Sequence, residues 1–452
     1  MIPALKTLRD TIQQWPVPTV EKRTQHLLAL RDAIRRNEAG VLAALKHDLG
    51  KSPSEAWIEL GGVLSEIELM VKELPAWAQA EKVGTPMVLM PGTSSILPAP
   101  YGVVLVLAPW NYPFQLAMKP LVGALAAGNR VILKPSEISI HTSKILDKIL
   151  SEALPATEVA VELGGAEKTQ ELLKERFDFI FFTGSTAVGK IVMKAAAEHL
   201  TPVVLELGGK SPCIVDETAE IKSAARRIVW GKFANTGQTC VAPDFIAVHR
   251  SIKDKLIEEC KNAIVQFYGS NPQESGDLGR IVTERHFDRL VKFLDGLKVI
   301  HGGEHNRSDR YMAPTLVDAI EWDHPLMQEE IFGPILPFLT YDDLDEVITR
   351  IRQMPRPLAL YIFSTNKKNQ DKVMGQISFG GGCINDTIVH LVNKELPFGG
   401  VGDSGMGAYH GKHSFDTFGH KKAIYQQTTL LDLPVRYPPY KGKEKLLKFL
   451  LG

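Results

Sequence analysis

Val103-Val104-Leu105-Val106-Leu107-Ala108 is an unbroken apolar run of branched residues, followed by a helical pattern over Leu116 to Ala127 that stops at Gly128. A short run of this kind between turn residues reads as a strand covered on both faces. The alternation continues with a strand at Val131-Ile132-Leu133, a helix over Thr142 to Ala153 and a strand at Glu158 to Leu163. A short helix at Glu167 to Lys174, a strand at Phe179 to Phe182, a helix from Ala187 to Glu198 and a strand at Val203-Val204-Leu205 complete the set. Strands that alternate with helices argue for parallel βαβ units, and therefore for a doubly wound α/β sheet. Ligands of such sheets bind beyond the carboxyl ends of the strands. Those ends carry Pro109-Trp110-Asn111-Tyr112-Pro113, Lys134-Pro135-Ser136-Glu137, Thr183-Gly184-Ser185-Thr186-Ala187-Val188-Gly189 and Glu206-Leu207-Gly208-Gly209-Lys210. Each supplies an amide, a charge or glycines where a ligand is expected.

Outward from this core, residues 211 to about 400 repeat the alternating style. A helix near Glu220 to Phe233, a strand at Ile246-Ala247-Val248 and a helix from Lys253 to Phe267 predict a second α/β unit. So do a helix at Leu344 to Arg352 and strands at Leu358 to Phe363 and Cys383 to Asn385. Before the first strand, Thr19 to about Gln79 is helical: Thr19 can cap one helix, Gly50 can end the next and Ser54 can open a third. Between them, Met87-Val88-Leu89-Met90 and Ser95-Ile96-Leu97 flank the turn dipeptide Pro91-Gly92, which predicts a β-hairpin set apart as an oligomerisation arm. The tail, Lys443 to Leu451, is basic and amphipathic; a solvated terminus is the first reading and weak peripheral membrane contact the second.

Composition narrows the class. The chain has 452 residues, 44% hydrophobic and 23% charged, with 52 basic and 52 acidic side chains. That is the profile of a globular protein of two or three domains, with no electrostatic footprint for nucleic acid. No apolar run reaches the roughly 20 residues that span a bilayer. Four cysteines, Cys213, Cys240, Cys260 and Cys383, form no C-x-x-C pair, so no metal site is indicated and a reducing, cytoplasmic setting is expected. Cys213 and Cys260 lie in apolar strand and helix patterns and read as packing residues.

Cys240 is different. It ends Asn235-Thr236-Gly237-Gln238-Thr239-Cys240, a small polar stretch that predicts an irregular, backbone-exposed turn able to present both the sulfur and its own N–H. Glu206 interrupts the apolar Val203-Val204-Leu205 where a strand should end, so a partly desolvated carboxylate of raised pKa competes with an ordinary strand-end ion pair. Two textual matches mislead. Gly400-Val401-Gly402-Asp403-Ser404-Gly405 has G-x-G-x-x-G spacing without the strand-to-helix context of a dinucleotide loop. Gly184 to Lys190 fits G-x-x-x-x-G-K, but Ile191 stands where a P-loop needs a hydroxyl, which makes a P-loop nucleotide-binding protein the distant alternative.

Taken together, Pro109-Trp110-Asn111, Lys134-Pro135-Ser136-Glu137, Phe182-Thr183-Gly184-Ser185 and Leu205 to Lys210 resemble the aldehyde dehydrogenase superfamily. Asn235 to Cys240, Glu329-Glu330-Ile331-Phe332-Gly333-Pro334 and Pro397-Phe398-Gly399-Gly400 extend the resemblance in the same order over nearly the whole chain. The short region before Trp110, and Tyr409 to Phe415, look most like class 3, which includes fatty aldehyde dehydrogenases. The resemblance implies two doubly wound α/β domains with a small β arm. An NAD-binding domain is expected over 1–81 and 101–207, a catalytic domain over 208–405, and bridging or tail segments over 82–100 and 406–452. It implies NAD(P)-dependent oxidation of an aromatic or medium- to long-chain aldehyde to an acid by a homodimer.

Residue chemistry runs parallel to it. Cys240 as nucleophile would form a thiohemiacetal and then a thioester. The Asn111 amide and the Cys240 N–H would hold the oxyanion, each such donor worth about 3 kcal/mol. Glu206 would be the base for thioester hydrolysis, which argues against a CoA-acylating variant. For the cofactor, the resemblance puts Lys134 and Glu137 on the adenosine ribose, and Thr183, Gly184 and Ser185 along the pyrophosphate and nicotinamide. Gly189 and Leu207 go with them, Glu330 with the nicotinamide ribose and Phe332 beside the ring. A carboxylate at Glu137 favours NAD, with NADP as an alternative.

Overall fold

The computed structural model describes residues 1–14, 17–432 and 434–451. It begins with helices α1 (Pro3–Gln14), α2 (Val20–Arg36), α3 (Glu38–Leu49) and α4 (Pro53–Trp77). The Thr19 hydroxyl caps α2 by accepting from Lys22 N–H at 3.2 Å, and Gly50 closes α3 at φ 67°. Two details depart from the pattern. The helix α1 is not announced by the residues before Thr19, and α4 opens at Pro53, capped by Ser52 rather than Ser54. Ser52 accepts from Glu55 N–H at 3.2 Å, and the fixed φ of proline suits a first turn.

The expected hairpin keeps Ser95 to Leu97 in its second strand but takes another first strand. Strand β1 (Glu81–Val83) pairs antiparallel with β2 (Thr93–Pro100), while Met87–Leu89 forms a 3₁₀ turn rather than a strand. A Cβ on Gly92 would stand 2.2 Å from the Tyr425 hydroxyl oxygen, so the turn is seated against a later strand.

The first sheet follows the alternation closely: β3 (Val103–Leu107), α5 (Gln115–Ala127), β4 (Arg130–Lys134), α6 (Ile140–Ala153), β5 (Val159–Val161) and α7 (Ala166–Leu173). Then come β6 (Phe179–Thr183), α8 (Thr186–Ala197) and β7 (Val203–Glu206). The strands lie parallel in the order β5-β4-β3-β6-β7. Successive strand residues face opposite sides, and both sides are covered. Val104 and Val106 pack with Leu27, Leu30 and Met118 of α2 and α5, whereas Val103, Leu105 and Leu107 pack with Leu5 and Leu8 of α1 and Val192 of α8.

The second sheet takes β8 (Pro212–Val215), α9 (Ile221–Phe233), β9 (Phe245–His249), α10 (Lys253–Tyr268), α11 (Glu284–Leu294) and β10 (Lys298–His301). After the small pair β11 (His305–Asn306) and β12 (Tyr311–Met312) come β13 (Thr315–Asp318), β14 (Ile335–Tyr341), α12 (Leu344–Gln353), β15 (Ala359–Phe363), α13 (Lys367–Gln376) and β16 (Gly381–Ile384). Its order is β10-β13-β14-β9-β8-β15-β16, parallel except at the β10 edge. The chain then returns to the first sheet: β17 (Gly405–Met406) runs antiparallel to β7, with Gly405 opposite Glu206. The segment expected to extend to 405 within the second unit therefore leaves that sheet earlier. This pairing also explains the misleading glycines, because a Cβ on Gly405 would lie 2.0 Å from the Leu205 carbonyl oxygen. After α14 (Lys412–Thr417), β18 (Gly419–Gln426) pairs antiparallel with β2, and Glu444–Leu451 is helical.

A buried ion pair ties the helical layer to the loop after β3. Lys51 Nζ meets Glu59 Oε2 at 2.6 Å with both side chains fully enclosed, and Glu59 Oε1 accepts from Phe114 N–H at 2.8 Å and Gln115 N–H at 3.0 Å. Removing one partner leaves the other buried and unpaired. Lys51→Met is expected to lower the unfolding free energy by about 3 kcal/mol, read from a urea melt; an unchanged midpoint would refute this role for the pair.

Candidate active site

Register brings the first two groups together. The β6–β7 pairing sets Thr183 beside Glu206 at the carboxyl ends of both strands. Next to them opens a cavity of about 310 Å³. Nine of the residues expected at the site line it: Asn111, Thr183, Gly184, Ser185, Glu206, Leu207, Cys240, Glu330 and Phe332. The other three lie elsewhere. Gly189 is buried in α8, where a Cβ would come within 2.7 Å of Leu207, so it allows the helix to pack closely on the residue that lines the cavity. Lys134 and Glu137 sit beyond β4, joined at 2.8 Å, and Glu137 lines a separate cleft of about 180 Å³ with Ser136 and Gly164.

The turn before Cys240 is irregular, as its residues imply, but it is not exposed. Asn235 and Thr236 adopt left-handed backbone conformations, φ 50° and 56°, and both are buried with Gly237, Gln238 and Thr239. For residues other than glycine that conformation costs on the order of 1–2 kcal/mol each. Hydrogen bonds offset it. Asn235 N–H donates to Glu55 Oε1 at 2.8 Å, and Asn235 Nδ2 donates to the Asn111 carbonyl at 2.8 Å and the Gln238 carbonyl at 3.1 Å. Gln238 in turn accepts from Val282 N–H at 2.9 Å and donates to the Arg280 carbonyl at 3.0 Å. Gly237 at φ 73° leaves no room for a side chain, since a Cβ would meet the Gly333 carbonyl oxygen at 2.3 Å. Only Cys240, half-buried, emerges from this packing into the cavity.

Asn111 is also fixed. Its Nδ2 donates to the Gln238 carbonyl at 3.1 Å, which leaves the second amide hydrogen available. Glu206 is 2% exposed, and neither carboxylate oxygen has a hydrogen-bond partner among the described residues. The strand-end ion pair is thus not what the structure holds. Burial alone drives the Glu206 carboxyl well above its ordinary range. Burial first, then the Glu330 and Glu206 carboxylates, push the Cys240 thiol up, and only the backbone N–H groups of Cys240 and Val241 act in the other direction. Among the described residues no cation is paired with the thiol, contrary to the simple expectation for a reactive cysteine. Glu330 rises to about 8, through burial and then the Asp244 carboxylate. It is held against Gly208, where a Cβ would fall 2.2 Å from its Oε2.

Several lining residues were not legible as site residues. His286 and Arg289 reach the cavity from α11, a helix absent from the sequence reading. Phe287, Leu290, Val291 and Leu294 at helical spacing were the available signal for it. Arg289 donates to the carbonyls of Glu330 at 3.3 Å and Ile331 at 2.5 Å, and Trp110 meets His286 at a tilt and Phe332 edge-on, with ring centres 5.0 and 5.4 Å away.

A family model described as the aldehyde dehydrogenase family matches residues 3–424. The chain belongs to that family. This aldehyde dehydrogenase is 51% identical over 94% of its length to 4,4'-diaponeurosporen-aldehyde dehydrogenase of Staphylococcus aureus, 94% of which is covered. It is 47% identical over 97% of its length to the dimeric NADP-preferring aldehyde dehydrogenase of Rattus norvegicus, 98% of which is covered. The substrate-bound structure of Staphylococcus aureus AldH superimposes with a TM-score of 0.98 at 48% identity, each chain covered in full. Relatives named as family 3 members agree with the class 3 resemblance. The enzyme is an oxidoreductase with the family fold.

The isolated Glu206 carboxyl has a consequence for stability. Its raised folded-state pKa means the neutral form is the one the fold accommodates. Its contribution is complete below the unfolded pKa and is lost as pH rises toward the folded value. Glu206→Gln, which does not ionise, is expected to gain thermal stability relative to the parent as pH is raised from 5 to 9, and a difference in melting temperature that stays constant with pH would contradict this.

Proposed function

We propose that the enzyme oxidises an aldehyde to a carboxylic acid with NAD(P) through a covalent bond to Cys240. The observation that carries this reading is the meeting, in one cavity, of a half-buried thiol with a carboxyl whose two oxygens are unengaged. In this reading Cys240 Sγ attacks the carbonyl carbon as its proton leaves for a base. The oxyanion is received by Asn111 Nδ2–H and the Cys240 N–H, the thiohemiacetal is oxidised to a thioester, and water then releases the acid. Glu206 takes the proton of that water. Its lack of partners matters because a carboxylate held by fixed donors is a weaker base. Passage of the thioester to CoA would not need such a group, so hydrolysis is preferred.

The residues present fit a dinucleotide. The Thr183 hydroxyl is buried without a partner, and α8 begins just beyond it with its first N–H groups near the cavity, as an anionic pyrophosphate requires. Lys134, Glu137, Thr183, Gly184, Ser185, Leu207, Glu330 and Phe332 would hold it, Gly189 supporting them from within α8. Bound there, nicotinamide supplies the hydride acceptor. Lys190 and Ile191 are both exposed on α8, which gives a P-loop reading no support.

Burial raises the Glu137 carboxyl, but the Lys134 hydrogen bond, a backbone N–H and the Lys134 charge together outweigh this and leave it below the ordinary range, so it is charged. A charged carboxylate accepts a ribose hydroxyl and repels a 2′-phosphate. NAD is therefore the preferred cofactor, and NADP, after which the rat relative is named, the second. Trp110 and Leu116 give the cavity an apolar wall suited to aromatic or medium- to long-chain aldehydes. A homodimer fits the exposed Val83, Met87, Met90 and Ile424 on the β1-β2-β18 arm. No described helix is long and apolar enough to cross a membrane. Four free cysteines accord with a cytoplasmic setting.

Two experiments test this. Cys240→Ala is expected to abolish NADH formation, while Glu206→Gln gives one burst of NADH per site and then stalls; turnover by the first or a normal steady state in the second would refute the assigned roles. Glu137→Gln is expected to raise the NADP-to-NAD ratio of kcat/KM by roughly tenfold, about 1.4 kcal/mol, and an unaltered ratio would remove Glu137 from the ribose site.

A further inference from the structure

The two groups read as oxyanion donors come from segments 129 residues apart at their numbered positions, Asn111 and Cys240, and their spacing has to be fixed by something other than the chain. Two ties meet at Asn111 itself: Asn235 Nδ2 donates to its carbonyl at 2.8 Å, and its own Nδ2 donates to the Gln238 carbonyl at 3.1 Å. A third lies on the neighbouring residues. Tyr112 follows Asn111, Thr239 precedes Cys240, and their hydroxyls share a hydrogen bond of 2.9 Å. We propose that Tyr112 is a positioning residue, its hydroxyl bonded to Thr239 so that the Asn111 amide and the Cys240 N–H are held at the spacing one oxyanion requires. This deepens the reading of Asn111 and Cys240 given above and rests on it.

The surroundings of Tyr112 show why its bond transmits position. Lys51 Nζ stands 3.9 Å from the centre of the tyrosine ring, and the same ammonium is paired at 2.6 Å with Glu59. Glu59 also receives the N–H groups of Phe114 and Gln115, two and three residues beyond Tyr112. The ring is thus anchored through α4 at one face, and the backbone that follows it is anchored to the same carboxylate. The two bonds at Asn111 both converge on one residue and leave rotation about it. The hydroxyl pair adds a point on the adjacent residues and fixes orientation as well as distance. Errors of about 1 Å in such placement cost on the order of a hundredfold in rate, so loss of this one tie of three is expected to cost roughly tenfold.

The test is a double-mutant cycle on the rate of the NADH burst at saturating aldehyde and NAD. Tyr112→Phe, which keeps the ring over Lys51, and Thr239→Val should each slow the burst roughly tenfold, and the double variant should be no slower than either. KM for NAD should stay at the parent value while stability falls by no more than one lost hydrogen bond accounts for, and Thr239→Ser should restore the rate. A parent burst rate in either single variant, losses that multiply in the double, or a slowing that Thr239→Ser does not reverse would each overturn the proposal. Turnover by Cys240→Ala would instead overturn the functional reading beneath it, so the two failures are distinguishable.

Discussion

A thiol and a carboxyl share one cavity, and among the described residues neither is paired with a cation: Arg289, which also lines it, donates to the Glu330 and Ile331 carbonyls instead. Everything else at the site follows from that constraint. Ionising both would place two negative charges, with Glu330 nearby as a third carboxyl, in a region where burial already disfavours charge. Burial therefore favours the neutral form of each acid and supplies no ion pair to hold either in place. A structural ion pair would fix Glu206 and remove it from chemistry; its isolation keeps it available.

Such a site needs a rigid frame, because no strong charge contact within it holds the groups in place. The frame is made of hydrogen bonds and packing around it. Left-handed residues at Asn235 and Thr236 are held by Glu55, Asn111 and Gln238, and Gly237 admits the Gly333 carbonyl where a side chain would block it. The fully buried Lys51–Glu59 pair fastens the helical layer to the loop that carries Asn111 and Tyr112. The strained turn and the ion pair thus serve the same end, one holding Cys240 and the other the loop that carries Asn111.

The two sheets divide the work. Parallel order β5-β4-β3-β6-β7 puts Lys134, Thr183 and Glu206 at one edge, while the second sheet carries Cys240 and Glu330 on the segments that face it. The return of the chain at β17 pairs Gly405 with Glu206 and adds a strand beyond β7. Glu206 thereby ends a strand that is interior to the sheet, a position set by topology.

The sequence by itself determined the parallel sheet, because a strand buried on both faces must be apolar throughout and the intervening helices announce themselves by period. It also offered Cys240, Glu206 and Asn111 as candidates, through a thiol after polar turn residues, a carboxylate ending an apolar strand and an amide after another. Tertiary structure alone decided the rest. His286 and Arg289 join the site through a helix whose polar face looks like any solvated one until it is docked. The arm uses Glu81–Val83 because strand pairing is a non-local choice, and the apolar Met87–Leu89 is bent into a turn instead. The raised pKa values of Cys240 and Glu206 depend on which carboxylates the fold brings within reach and on how much water it excludes, and neither is written in the spacing of residues along a chain.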